Sequence, residues 1–150
     1  MKLIAHRGNL HGPCPARENS IEYIREALDA GVDVEIDVWR MENGDFLLGH
    51  DEPQYKVTPG FLLMTSGLWC HAKNLEALQW MLENGVHCFW HQEDDYTITS
   101  KGKIWAYPGK KTGNNVIVVM PEWKLGAVFK LPENCDGICS DYVGNFLDSA

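Results

Sequence analysis

Four side chains in the first third of the sequence, His6, Glu35, Asp37 and His50, are the groups that metal-assisted cleavage of a phosphodiester needs. Glu35 and Asp37 lie two apart in a stretch that alternates cleanly from residue 32 to 39. Residues two apart on a β-strand share a face, so both carboxylates can meet one hard cation. Val34, Ile36 and Val38 take the opposite face, and two inward carboxylates without a cation would be costly. The two histidines then remain for proton transfer, one removing a proton and one donating it. His6 is followed by Arg7-Gly8, and a glycine there suits close approach of backbone to a ligand. His50 is followed by Asp51, which either orients the ring or caps the next turn.

The elements that must position these groups are readable from hydrophobic periodicity. Residues 2–6 form a short apolar run ending at a glycine, which suits a buried strand leading into a loop through Pro13 and Pro15. Ser20 is placed to cap a helix whose apolar positions Ile21, Ile24, Ala27 and Leu28 recur at helical spacing, with Gly31 at its end. A strand over 32–39 follows. Asn43-Gly44 is a turn dipeptide from which 46–49 runs back to deliver His50. Residues 52–67 read as connection with at most one helical turn. Residues 68–73 are a third parallel strand, Asn74 caps a helix over Leu75, Leu78, Met81 and Leu82, and 86–91 is the next strand. This alternation predicts a parallel sheet with crossover helices. The second half differs: 96–99, 104–107 and 116–120 are β-rich but separated by stretches too short for helices, which predicts hairpins. Residues 136–140 read as a final strand.

One domain accounts for 150 residues that are 45% hydrophobic and include six tryptophans. No apolar stretch is long enough to span a bilayer, and residues 1–5 run into His6 without the apolar region of a signal peptide. The expectation is a soluble, cytoplasmic protein without stable membrane insertion, and no amphipathic helix for docking on a bilayer is evident. Five cysteines, of which only Cys135 and Cys139 are close together, lack zinc-ligand spacing and read as reduced structural thiols. The formal charge of −8, with no basic run beyond Lys110-Lys111, argues against nucleic acid as a partner. A small phosphate ester is still accessible to an acidic chain if a metal and a few cations converge locally.

At this level the chain resembles the glycerophosphodiester phosphodiesterase family. The matching stretches are I-A-H-R-G, E-N-S before a helix, V-E-I-D-V, E-N-G-D-F-L-L-G-H-D and, near the end, C-D-G-I-C-S-D-Y. They cover 3–51 densely and 136–142 more loosely, with a weak match at His71-Ala72-Lys73. The resemblance implies a (β/α)8 barrel, His6 and His50 as the acid/base pair, Glu35 and Asp37 on a divalent cation, Arg7 and Lys73 on the phosphate, and Glu18 near the metal or the polar end of the substrate.

Two departures from the family pattern matter. The family's third metal ligand is acidic and stands two before the lysine, where this chain has His71. Oxygen ligands favour Mg²⁺ or Ca²⁺, whereas an imidazole shifts preference toward Mn²⁺ or Zn²⁺. His71 itself reads as a ligand, a support for ligands or a structural residue. The second departure is length, since a complete barrel of this type takes roughly 250 residues. The expectation is therefore a reduced or incomplete TIM-type barrel, with early βα units and a hairpin-rich second half, and with the site at the C-terminal ends of the strands.

The function expected is metal-dependent hydrolysis of a small glycerophosphodiester-like substrate. The alternatives are a non-catalytic module that binds phosphate esters and a phospholipase D-type enzyme acting on lysophospholipids. His91, Glu93, Asp94, Asp95 and Glu122 are weaker candidates for the pocket, and Trp90, Trp105 and Tyr107 read as core or rim. Strands 104–107 and 116–120, left without crossover helices, predict a homo-oligomer through the second half of the chain.

Overall fold

The computed structural model describes residues 1–149. The first half alternates as its periodicity requires. Strand β1 (Lys2–His6) leads through a long loop to helix α1 (Ile21–Asp29), where the Ser20 hydroxyl accepts from the Tyr23 amide and Ile24 and Ala27 are buried. Strand β2 (Asp33–Arg40) follows, then the antiparallel strands β3 (Phe46–Leu48) and β4 (Tyr55–Val57), helix α2 (Pro59–Met64), strand β5 (Leu68–Ala72), helix α3 (Leu75–Glu83) and strand β6 (Cys88–Phe89). Asn74 caps α3 through Ala77 N and donates its amide to Arg40 O, which ties the start of α3 to the end of β2. Between 52 and 67 the chain is more ordered than its glycines and prolines suggest. Thr58 caps a helix with Pro59 in its first turn, and Tyr55–Val57 pairs with β3.

The second half contains β7 (Tyr96–Ile98), β8 (Ile104–Ala106), β9 (Val116–Val119), the four-residue helix α4 (Glu122–Leu125), β10 (Gly137–Ser140) and a 3₁₀ segment, η1 (Val143–Ser149). Here the expectation of successive hairpins is corrected. Only β7 and β8 form one, whereas β8, β9 and β10 run parallel to one another. The reason is length: strands of three or four residues rise only about 10–13 Å, a distance that a stretch of extended chain can retrace without a crossover helix.

Seven strands run parallel in the spatial order β6-β5-β2-β1-β10-β9-β8. One edge of β2 pairs in succession with β1 and β3, while its other edge pairs with β5. The ten-stranded sheet is open, with no ladder between β6 and β8 among the described residues. It is nevertheless strongly curled. Ile4, Trp69, Phe89, Trp105, Ile117 and Cys139, drawn from six strands, form one buried cluster, and the Phe89 and Trp105 rings from opposite ends of the parallel set are 4.7 Å apart. A second, larger cluster lies on the outer face under the helices and includes Leu3, Ala5, Val34, Ile36 and Val38. All five cysteines are free thiols, and among the described residues no helix is long and apolar enough to cross a membrane.

Candidate active site

The alternation of β1, β2 and β5 delivers the chemistry to the inside of the curl. His6 is in register with Glu35, and Asp37 with His71. Lys73 follows at the end of β5, its amide bonded to Val38 O. These residues fall at the C-terminal ends of parallel strands, and His50 enters from the turn after β3.

Glu35, Asp37 and His71 each offer one ligand atom within 4.8 Å of the others. Both carboxylates are buried. His71 Nε2 meets the His91 carbonyl at 3.0 Å, and because a carbonyl only accepts, that nitrogen carries the hydrogen. When neutral, His71 therefore turns the Nδ1 lone pair toward Asp37 Oδ1, 3.2 Å away, and Glu35 Oε2, 4.0 Å away. Burial opposes its protonation, but the bond to Asp37 and the two carboxylate charges outweigh burial and raise its pKa, so Nδ1 readily takes up a proton. Such an arrangement requires a proton or a cation between the groups. Burial and the neighbouring Asp37 push the Glu35 carboxyl above its ordinary value, and Glu35 Oε1 has no hydrogen-bond partner. Burial acts the same way on Asp37, but the His50 and His71 imidazoles and the Asn19 amide outweigh it and hold Asp37 well below the usual carboxylate range.

Asn19 clasps Asp37 at both ends, donating Nδ2 to Oδ2 and accepting the Asp37 amide, each at 2.9 Å. It does so from a left-handed backbone conformation (φ 67°), one that asparagine tolerates better than most residues. Arg7 is left-handed as well (φ 56°). Its Nη1 donates to Glu18 Oε1 at 3.2 Å, and its Nε faces Asp37 Oδ2 at 3.5 Å without a hydrogen bond. Glu18 stands beside the site, in a smaller cavity that it shares with Arg7 and His50. One oxygen holds Arg7, the other accepts the Cys14 amide at 2.8 Å, and Glu18 does not line the main cavity. It orients the arginine.

The two histidines have unlike surroundings. His6 Nδ1 donates to Asp141 Oδ1 at 2.8 Å, which turns Nε2 toward Glu35 Oε1, 3.9 Å away. Burial alone would push the His6 imidazole down, but the bond to Asp141 and the charges of Glu35 and Asp141 raise it above its ordinary value. Asp141 is itself held by Asn9 Nδ2 at 2.9 Å, and Asn9 by the Tyr23 hydroxyl. Glu122 accepts from Ser140 Oγ and the Asp141 amide, fixing the end of β10. His50 is 41% exposed, with Nδ1 3.7 Å from Asp37 Oδ1 and Nε2 3.7 Å from Asp51 Oδ1.

These groups open on a cavity of about 550 Å³. One wall carries His6, Arg7, Glu35, Asp37, His50, His71 and Lys73. The facing wall is largely apolar and includes Trp105, Tyr107, Val119 and Trp123, and His91 and Glu93 also line the space. A larger cavity of about 870 Å³ lies at the other end of the curl, around Lys2, Asp33, Trp69 and Lys103, where the charges are already paired: Lys2 with Asp33 and Lys103 with Asp136.

His6, Arg7, Glu35, Asp37, His50, His71 and Lys73 thus converge on one space together with His91 and Glu93, whereas Glu18 lines a smaller adjoining cavity and Asp94, Asp95 and Glu122 do not line the main one. Sequence reasoning missed Asp141, Asn9 and the role of Asn19. Asn19 stood in the E-N-S stretch, and Asp141 stood in the C-D-G-I-C-S-D-Y stretch, one residue beyond the last strand, where Ala5 pairs with Ser140 and His6 follows beside it. Comparison with models of known protein families and with curated proteins finds no match to this chain.

Proposed function

We propose that the chain is a metal-dependent phosphoric diester hydrolase that acts on a small glycerophosphodiester-like substrate. One observation carries the reading: two carboxylates and an imidazole lone pair converge on the same cavity as two histidines and two cations, with Glu35 Oε1, Arg7 Nε and His50 Nδ1 buried and lacking partners. Unpaired buried polar atoms are costly, and these three, with His91 Nδ1 a fourth in the same cavity, are accounted for together by a cation and an anionic ligand.

Glu35, Asp37 and His71 would hold the divalent cation, which supplies charge neutralisation at the phosphoryl oxygens. With an imidazole in the set, Mn²⁺ or Zn²⁺ joins Mg²⁺ and Ca²⁺ as a candidate. Arg7, aimed by Glu18, and Lys73, which has no carboxylate partner among the described residues, bind the phosphate and stabilise the charge that develops on it. His6 and His50 carry the two proton transfers. Asp141 keeps the His6 hydrogen on Nδ1 and stabilises the imidazolium, so that Nε2 is the exchanging atom. His50, at the solvent side, exchanges its proton with water. The nucleophile is water or a hydroxyl of the substrate that closes a cyclic phosphate. A module that only binds phosphate esters would need neither the His6–Asp141 pair nor a second histidine.

We also read the curled sheet as a reduced, incompletely closed (β/α) barrel, supported by the six-strand inner cluster and by the site at the C-terminal strand ends. The proposed homo-oligomer narrows to one surface. Val118, Phe129 and Leu131 all pack against the outer core cluster of the same chain, whereas Tyr96, Ile98, Ile104 and Val116 line an open apolar groove, with Ile98 65% exposed. Light scattering of Ile98→Lys beside the wild type tests it: a dimer that becomes a monomer supports the interface, and a wild-type monomer contradicts it.

The function is tested by a phosphorus NMR time course with glycerophosphocholine, a lysophospholipid and a nucleotide diester, each with Mg²⁺, Mn²⁺ and Ca²⁺. Conversion of glycerophosphocholine to a monoester or cyclic phosphate supports the reading. Preference for the lysophospholipid favours the phospholipase D-type alternative, and no turnover of any diester contradicts an enzyme of this class.

A further inference from the structure

We infer that the face around the cavity mouth formed by residues 107–111 and 123–130 docks on an anionic lipid surface. This does not depend on the chemistry proposed above, because docking is read without turnover.

Six consecutive residues, 123–128, are exposed, and three of them are large and apolar: Trp123 at 60%, Leu125 at 60% and Val128 at 94%. Helix α4 buries none of its residues. Its apolar side chains therefore serve no core. Tyr107, 39% exposed, meets Trp123 edge-on at 6.3 Å, and the stem of Lys124 lies across Gly109, so the two loops present one continuous surface. Apolar side chains grouped in this way mark an interaction site, and tryptophan beside lysine is the pairing found where protein meets the boundary between lipid headgroups and acyl chains.

Charge selects the occupant. Residues 101–131 hold six of the nine lysines and a single acidic residue, Glu122, in a chain of net charge −8. Both Glu122 oxygens are engaged by Ser140 and Asp141. Lys101 and Lys103 stand at the opposite end of β8, which leaves Lys110, Lys111 and Lys124 on the two loops at the mouth and Lys130 on the exposed segment that follows α4. Of the three carboxylates beside Tyr107, Asp95 pairs with Lys110 at 3.3 Å and Asp94 faces His91 at 3.7 Å, which leaves Glu93 against three lysines that have no carboxylate partner among the described residues. A second copy related by a two-fold axis would set these lysines against each other, whereas an anionic bilayer attracts them while its interface takes up Trp123, Leu125 and Val128. The lipid-facing element is a loop with a single helical turn, which is why no amphipathic helix shows in the periodicity.

The test is cosedimentation of the full chain with phosphatidylcholine vesicles, with and without phosphatidylglycerol. Binding is expected only with the anionic lipid and is expected to weaken with salt. Leu125→Ser with Val128→Ser should cut partitioning about tenfold or more, and Lys111→Glu with Lys130→Glu on the order of a hundredfold, since each lysine near such a surface contributes about fivefold. These four side chains are exposed and lie outside the catalytic cavity, so both pairs should retain the wild-type unfolding transition. No binding to anionic vesicles, or equal binding by both variants, overturns the inference. So does a solution dimer that Leu125→Ser with Val128→Ser dissociates, because the face would then belong to a second copy.

Discussion

His6 Nδ1 and Asp141 Oδ1 lie 2.8 Å apart across 135 positions of sequence, brought together because β1 and β10 pair in register. The pair fixes which nitrogen of His6 faces the cavity. Asp141→Asn should leave the fold and cation binding in place while lowering kcat/KM on the order of 10²- to 10⁴-fold. It should also move the acidic limb of the pH profile to lower pH, because the neighbouring carboxylates raise the His6 pKa and one of those charges is then gone. A variant with unchanged rate and unchanged limb would reduce Asp141 to a structural role.

His71 distinguishes the donor set from one made only of oxygen. His71→Asp should shift cation preference toward Mg²⁺ and Ca²⁺ and away from Mn²⁺ and Zn²⁺. Calorimetric titration of both proteins with Mg²⁺ and Mn²⁺ reads this as a change in the ratio of affinities. An unchanged ratio would place His71 outside the ligand set.

Gly49 sets the turn that delivers His50. A Cβ there would collide with the Glu52 carbonyl, and the Gly49 carbonyl accepts from Trp39 Nε1 at 2.7 Å. Gly49→Ala should cost about 2–4 kcal/mol and displace the 49–54 turn. Urea unfolding measures the first effect, and the reaction rate of the variant at full cation saturation measures the second.

How much of this was legible in the sequence follows from distance along the chain. Glu35 and Asp37 share a face because of local alternation, and His6, His50 and Lys73 stand at the ends of elements that periodicity marks. Asp141 and Asn9 depend on which strand lies beside β1, which no local pattern states. Glu18 was legible as a functional acid but not as the partner of Arg7, because that contact depends on the left-handed turn at Arg7 and the folding of the loop back onto it. The parallel course of β8, β9 and β10 was hidden for another reason: connections too short for helices suggest hairpins, yet strands this short let loops make the crossover.

His87 gives the fold a pH dependence of its own. Its ring lies tilted against Trp69 with centroids 4.3 Å apart and meets Thr99 Oγ1 at 2.7 Å, and burial, with Lys101 nearby, pushes its pKa down from 6.5 to about 4. Between those values the unfolded chain binds the proton more readily than the folded one. The stability contribution is therefore complete above pH 6.5 and lost as pH falls toward 4, by about 1–2 kcal/mol for a half-exposed ring. In urea unfolding, wild type should lose more stability than His87→Gln over that window. Equal losses would show that His87 does not contribute.

The central claim is that a cation held by Glu35, Asp37 and His71 works with His6 and His50 to cleave a phosphodiester. Its most direct test is the rate of glycerophosphocholine cleavage, followed by phosphorus NMR, after exhaustive chelation and during stepwise return of Mg²⁺ or Mn²⁺. Turnover is expected to vanish on chelation, to return along a single-site saturation curve in the wild type, and to stay absent in Asp37→Asn at the same cation concentrations. Full activity in excess chelator, or an Asp37→Asn variant that matches the wild type, would contradict it.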